Sequence, residues 1–202
     1  MIVSTQVQSF ITPEQYLEIE RRAAGKSEYW QGVMYAMAGA SREHNLLVGD
    51  LFGGLRDQLR GQPRGTRCEA YSSDMRVFVP STGLYTYPDV VVACGEPRFL
   101  DDRKDTLLNP GFLAEILSPS TEAYDRGRKF EHYRSVESLQ EYLLVAQDRI
   151  HVELYRRQPD GAWLLQEASR SDETVEARSI ACRLVLGEIY ERLEFPAAKQ
   201  PG

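Results

Sequence analysis

The spacing of apolar residues changes several times along this chain, and each change predicts a different element. Thr12-Pro13-Glu14-Gln15 has the marks of a helix start, with Thr as cap, Pro at the first helical position and Gln three residues on. That helix is expected to reach about Ala23 and to stop before Gly25. Ser27 to Met37 then alternates around Gln31-Gly32, which predicts a hairpin with Gly supplying the positive φ. Ser41 caps a second helix, where Leu46, Leu47, Leu51 and Leu55 recur at helical spacing until Gly61-Gln62-Pro63 ends it. From Arg67 the texture is that of strands, over 68–71, 75–79, 84–93 and 112–117. Pro80-Ser81-Thr82-Gly83 makes a turn among them, and residues 96–110 form a charged loop. Ser118-Pro119-Ser120-Thr121 breaks the fourth strand and caps a third helix from Glu122 to about Val136. Strands over 142–146, 150–156 and 163–167 follow, and residues 179–193 read as a short strand or turn with a closing helix. No repeat or linker interrupts the pattern. One α/β domain over residues 12–194 is expected, between a flexible arm (1–11) and a flexible tail (195–202).

Two of the apolar runs each carry one acid. Asp89 stands in Tyr87-Pro88-Asp89-Val90-Val91-Val92, and Glu115 in Phe112-Leu113-Ala114-Glu115-Ile116-Leu117. Val, Ile and Leu on both sides leave no wet face on which either acid is simply solvated. An ionised carboxylate in such a place costs on the order of several kcal/mol unless it is paired or bound to a cation. Two of them at about 4 Å repel by roughly 4 kcal/mol at an effective dielectric near 20. A shared divalent metal relieves both costs, so the pattern points to metal-assisted chemistry.

Bulk properties narrow the picture. The chain is 42% hydrophobic and 27% charged, as an ordinary globular protein is. No apolar run approaches the roughly 20 residues of a membrane span, and the first residues lack the basic and apolar regions of a secretory signal. Cys68, Cys94 and Cys182 are odd in number and far apart, without CxxC spacing; they argue for a reducing compartment, the cytoplasm, and against a zinc knuckle or disulfide frame. The net charge of −6 runs against a nucleic-acid partner, although an acidic metal site itself contributes to it. Arg56, Arg60, Arg64 and Arg67 read as a solvated face, and Arg126, Arg128, Lys129 and Arg134 form a second basic group.

The order helix, antiparallel strands, two acid-bearing strands, helix and strand is the layout of the PD-(D/E)XK nucleases. Within that superfamily the chain resembles the Uma-two family of restriction-endonuclease-like proteins. The resemblance rests on the Ser27-Glu28-Tyr29 to Gly32 hairpin, His44, Tyr87-Pro88-Asp89 and the run from Leu113 to Thr121, then Asp125, Lys129, Tyr133 and Glu141-Tyr142. It implies a restriction-endonuclease-like α/β core, with a mixed central sheet flanked by helices behind an N-terminal helix and hairpin. It further implies Mg²⁺ or Mn²⁺ held by Asp89, Glu115 and the Ile116 carbonyl, with DNA as substrate. The usual superfamily Lys two residues past the Glu is Leu117 here, and the matching cation is Lys129 from the next helix. Glu28 is the further acid that fits best, with Glu43 as the other candidate. A homodimer suits the cutting of two strands. The missing Lys keeps open a silent nucleic-acid-binding or oligomerisation module of the same fold, and a different phosphate ester is a third possibility.

Other polar residues carry weaker expectations. Asp125, Lys129 and Tyr133 lie four apart and share a helix face; they either reach the metal site or form a surface ion pair worth about 0.2–0.5 kcal/mol. His44 is either a general base or phosphate contact, or a helix histidine bonded to a carbonyl. Asp74 reads as a turn residue, and Tyr133 as core or as orienting Lys129. His132 and His151 lack partners at ligand spacing. Trp30, Tyr35, Tyr142 and Trp163 read as packing rather than as base-stacking platforms.

Overall fold

The computed structural model describes residues 10–62 and 67–195. Thr12 and Gln15 cap α1 (Pro13–Glu20) reciprocally, and this helix ends a turn before the expected Ala23. A hairpin follows, β1 (Ser27–Trp30) and β2 (Val33–Ala36), turned by Gln31 and Gly32 with both φ values positive. Ser41 caps α2 (Arg42–Arg60), which Gly61 closes. Then come β3 (Cys68–Ser72), β4 (Arg76–Val79), β5 (Leu84–Thr86), β6 (Val90–Cys94), β7 (Thr106–Leu107) and β8 (Phe112–Leu117). The third helix is broken into α3 (Glu122–Tyr124), a π-helical turn (Asp125–Lys129) and α4 (Phe130–Arg134). Strands β9 (Glu141–Ala146), β10 (Val152–Arg157), β11 (Trp163–Ala168) and β12 (Thr174–Ala177) follow. A 3₁₀ turn (Arg178–Ile180), β13 (Cys182–Val185) and α5 (Leu186–Ile189) complete the order.

The run 84–93, expected as one strand, is two strands in different sheets. Pro88 has no N–H to give a ladder, so the chain leaves one sheet after Thr86 and enters the other at Val90. The first sheet runs β2-β1-β5-β4-β7 and the second β11-β10-β9-β8-β6-β3, so the expected mixed sheet flanked by helices is present, with a second mixed sheet beside it. Two pairings are parallel, β4 with β7 and β8 with β9; the rest are antiparallel. Strands β12 and β13 form a separate hairpin, of which the sequence suggested only the second half. The short β7 lies inside the loop expected over 96–110.

Alternation along β6, β8 and β9 divides the core. Val90, Val92, Phe112, Ala114, Ile116, Leu143 and Val145 meet Leu47, Leu51 and Leu55 of α2. On the opposite face, Val91, Leu113, Leu117 and Leu144 pack with Tyr133 and Tyr142 and with Val77, Val79 and Leu84 of the first sheet. Glu115 shares its strand face with Leu113 and Leu117, so it points into this second layer, between the sheets.

The cysteine reading fails for one pair. Cys68 and Cys94 are direct partners across β3 and β6 and form a disulfide. Their 26-residue separation hid a contact made by sheet order, and inferring a reducing compartment from unpaired thiols does not hold for them. Cys182 is a buried free thiol whose pKa is pushed up to about 11 by burial. No described helix is long and apolar enough to cross a membrane. At the ends, the Ile11 N–H donates to the Gly32 carbonyl and the Phe195 ring meets Tyr190. Residues 1–9, 63–66 (with Arg64) and 196–202 lie outside the described residues.

Candidate active site at the junction of the two sheets

Asp89 sits one residue before β6 rather than inside a strand, where the backbone crosses between sheets. Its Oδ2 accepts the Ile116 N–H at 2.8 Å, beyond the last β6–β8 pair, Val90 with Ala114. The carboxylate thus stands in for the missing strand and is tied to the residue that follows Glu115. The two acids that the apolar pattern singled out are brought to one place.

Glu115 is buried, and its Oε1 accepts from the Tyr133 hydroxyl at 2.8 Å and from Lys129 Nζ at 2.9 Å. Lys129 also lies 3.2 Å from Glu28 Oε1 and 3.5 Å from Asp125 Oδ1. One ammonium therefore faces three carboxylates, with Asp89 beside them. Burial drives the Glu115 pKa well above its ordinary value, Lys129 offsets part of this, and the charges of Asp125 and Asp89 push it higher. Burial alone would depress Lys129, but Glu115, Tyr133, Glu28 and Asp125 outweigh it and hold the ammonium charged. Asp125 is raised by burial, against the pull of Lys129.

The π-helical turn explains how Lys129 reaches this place. Residues 125–129 make one widened turn, and both Asp125 and Lys129 are buried on it. The reading of these two as a surface ion pair is therefore corrected. Tyr133, fully buried one turn later as the core reading expected, donates its hydroxyl to Glu115. Glu28 joins from β1, held by the Thr86 hydroxyl and, at 3.5 Å, by the Tyr124 hydroxyl. Glu43 stays outside and faces Arg42 at 3.7 Å, while Asp74 pairs with Lys26 on the surface.

The His44 ring bonds no carbonyl among the described residues. Its Nε2 lies 3.2 Å from Asp89 Oδ2, and its buried Nδ1 has no partner among the described residues. Sequence reasoning missed Thr86, which stands between two tyrosines with no signal of its own. His151 needs a correction as well: its Nε2 is 3.2 Å from Glu153 and 3.4 Å from Glu167, which are cross-strand neighbours on β10 and β11. The three side chains offer ligand atoms that all lie within 4.8 Å of one another. The central acid is already engaged, because Glu153 also takes Arg126 and the Tyr155 hydroxyl.

Residues 13–186 match the family Uma2, described as "Putative restriction endonuclease". Two uncharacterized proteins of Synechocystis sp. are similar to this chain. One, slr1290, is 40% identical and covers 92% of this chain and 94% of its own. The other, sll1609, is 38% identical over 87% and 96%. Among solved structures, a "putative nuclease belonging to DUF820" from Anabaena variabilis superposes with a TM-score of 0.70. It covers 90% of this chain and 98% of its own at 18% identity, a likeness of fold.

Proposed function

Because this chain belongs to the Uma2 family, described as "Putative restriction endonuclease", we propose that it is a divalent-metal-dependent endonuclease acting on DNA at the cluster of Asp89, Glu115, Lys129 and Glu28. The observation that carries this reading is the convergence of buried acids on one ammonium, with Lys129 2.9 Å from Glu115 and Asp89 tied to the adjoining Ile116 N–H.

The donor set suits a hard cation. Among the described residues, Asp89 Oδ1 and Glu115 Oε2 take no hydrogen bond, while the partner oxygen of each carboxylate is fully engaged. These two oxygens and the Ile116 carbonyl would be the ligands of Mg²⁺ or Mn²⁺. Four carboxylates against one ammonium leave negative charge in excess, which a second cation would balance. A divalent ion supplies charge neutralisation at the phosphate and acidity toward water.

The protein's own groups do the positioning. Asp89 is fixed from two directions by the Ile116 N–H and His44, so His44 is a positioning residue in this reading. Tyr133 and Lys129 fix Glu115 by the same oxygen and turn the other away from themselves. Lys129 keeps its proton and aims a positive charge at the place where phosphate charge would grow. Glu28, held by Thr86, steadies that ammonium.

Cleavage of plasmid and oligonucleotide DNA in Mn²⁺ tests the assignment. Asp89→Ala and Glu115→Gln should each lose at least about 10²-fold in rate with the fold retained. Undiminished cleavage by either variant overturns the assignment. A silent module is the second reading, favoured by Leu117 and by the three carboxylates already on Lys129. Titration of the protein with Mn²⁺ separates the two, since a silent module gives no heat and no rise in melting temperature.

A further inference from the structure

Tyr35 does not pack. Its residue is 49% exposed, whereas Tyr16, Tyr29, Tyr85, Tyr133 and Tyr142 are all buried. Among the described residues its ring makes no stacking contact and its hydroxyl no hydrogen bond, so the packing reading of this residue is corrected.

Its position is set by strand register. Tyr35 on β2 lies directly opposite Glu28 on β1, and opposed residues of an antiparallel pair project on the same face with Cβ atoms about 5 Å apart. The pairing Tyr29 with Tyr85 sets Glu28 beside Thr86, whose hydroxyl bonds it. Thr86, Glu28 and Tyr35 thus form one row across three strands, running from the buried interior of the site to the outer edge of the sheet. Two residues along on the same face, Trp30 carries the exposed Arg128 guanidinium at 4.3 Å from its ring. A half-exposed aromatic residue and a cation therefore lie on the sheet face that carries Glu28.

A ring so placed meets what lies next to the bound phosphate. Phosphate itself gains nothing from a phenol face, but an unpaired base does, and base–aromatic stacking is indifferent to sequence. In an intact duplex both faces of each base are already stacked, so Tyr35 has nothing to receive. We propose, resting on the endonuclease reading above, that Tyr35 is a stacking platform for an unpaired base beside the scissile phosphate, with Arg128 meeting the adjoining phosphate. The substrate class is then single-stranded or locally unpaired DNA in preference to intact duplex.

The test uses the full chain with Ca²⁺ in place of Mn²⁺ and oligonucleotides carrying 2-aminopurine, whose fluorescence is quenched on stacking. Single-stranded, bulged and fully paired forms are compared for wild type, Tyr35→Phe and Tyr35→Ala. Wild type and Tyr35→Phe should bind the unpaired forms with quenching and discriminate against duplex. Tyr35→Ala should bind them on the order of tenfold more weakly, without quenching and with an unchanged melting temperature. Equal binding and quenching by Tyr35→Ala, or equal affinity of wild type for duplex, overturns the platform and leaves the endonuclease reading standing. Absence of binding to every form, with no cleavage in Mn²⁺, overturns that reading and the platform with it.

Discussion

Lys129 is the residue on which the balance of the cluster turns. Removing it leaves Glu115 and Asp125 buried, and Glu28 half-buried, without a counter-charge, and breaking a buried ion pair in this way costs roughly 3–5 kcal/mol. Lys129→Met is therefore expected to lower the melting temperature strongly in the presence of a chelator. It should also respond more than wild type to added Mg²⁺ or Mn²⁺, because a cation that binds the folded state restores the missing charge. Calorimetric melting with and without the ion checks both points. An equal ion response in the two proteins would mean that the ion does not replace the charge of Lys129. Cleavage should stay low in the variant at any ion concentration, since a spherical ion does not replace a directed ammonium.

At the scale of elements, two devices assemble the site. One is Pro88, which passes the chain between sheets and leaves Asp89 free to bond Ile116 rather than a strand partner. The other is the widened turn over 125–129. A π turn carries one residue more than α-helical winding, and Gly127 at its middle has open space around it. Deleting Gly127 should let α3 and α4 join as ordinary helix. At about 100° per residue of α-helix, Asp125 and Lys129, then three apart, would point about 60° from one another, so the ammonium would be re-aimed within the cluster. The expected result is a far-UV spectrum with helix retained and Mn²⁺-dependent cleavage reduced by at least about 10²-fold. Full activity in the deletion would show that the turn has no part in placing Lys129.

The whole molecule is held by contacts between segments far apart in sequence. The disulfide joins β3 to β6 across a loop of 26 residues, for which loop-closure entropy gives about 3.5 kcal/mol of stabilisation. Cys68→Ser should lower the unfolding free energy by an amount of that order in urea titrations without reductant. The difference should vanish when reductant is added to both proteins. Elsewhere, Arg21 bonds Asp101 and Asp105, fastening α1 to the loop around β7. Glu141, fully buried, takes Arg156, the Arg178 and Ser179 N–H groups and the Ser179 hydroxyl, which fastens the 3₁₀ turn to the sheet. Such ties fasten each sheet to the segments packed on it.

Local chemistry carried a good part of this protein. Thr12, Ser41 and Gly61 mark helix ends through hydrogen bonds made within a few residues, and Gln31-Gly32 turns a hairpin for the same reason. Asp89 and Glu115 were legible because a carboxylate among Val, Ile and Leu conflicts with its surroundings at any fold. Longer-range choices were hidden. Whether residues 84–93 formed one strand or two depended on which sheet each half could join, and Cys68 met Cys94 only because β3 and β6 became neighbours. Thr86, His44 and the π turn entered the cluster through partners 58, 45 and 14 positions away, counted from Thr86 to Glu28, His44 to Asp89 and Lys129 to Glu115. Periodicity reports which side of an element is apolar; which carboxylate shares an ammonium is decided by packing between elements, and that exists only once the chain has folded.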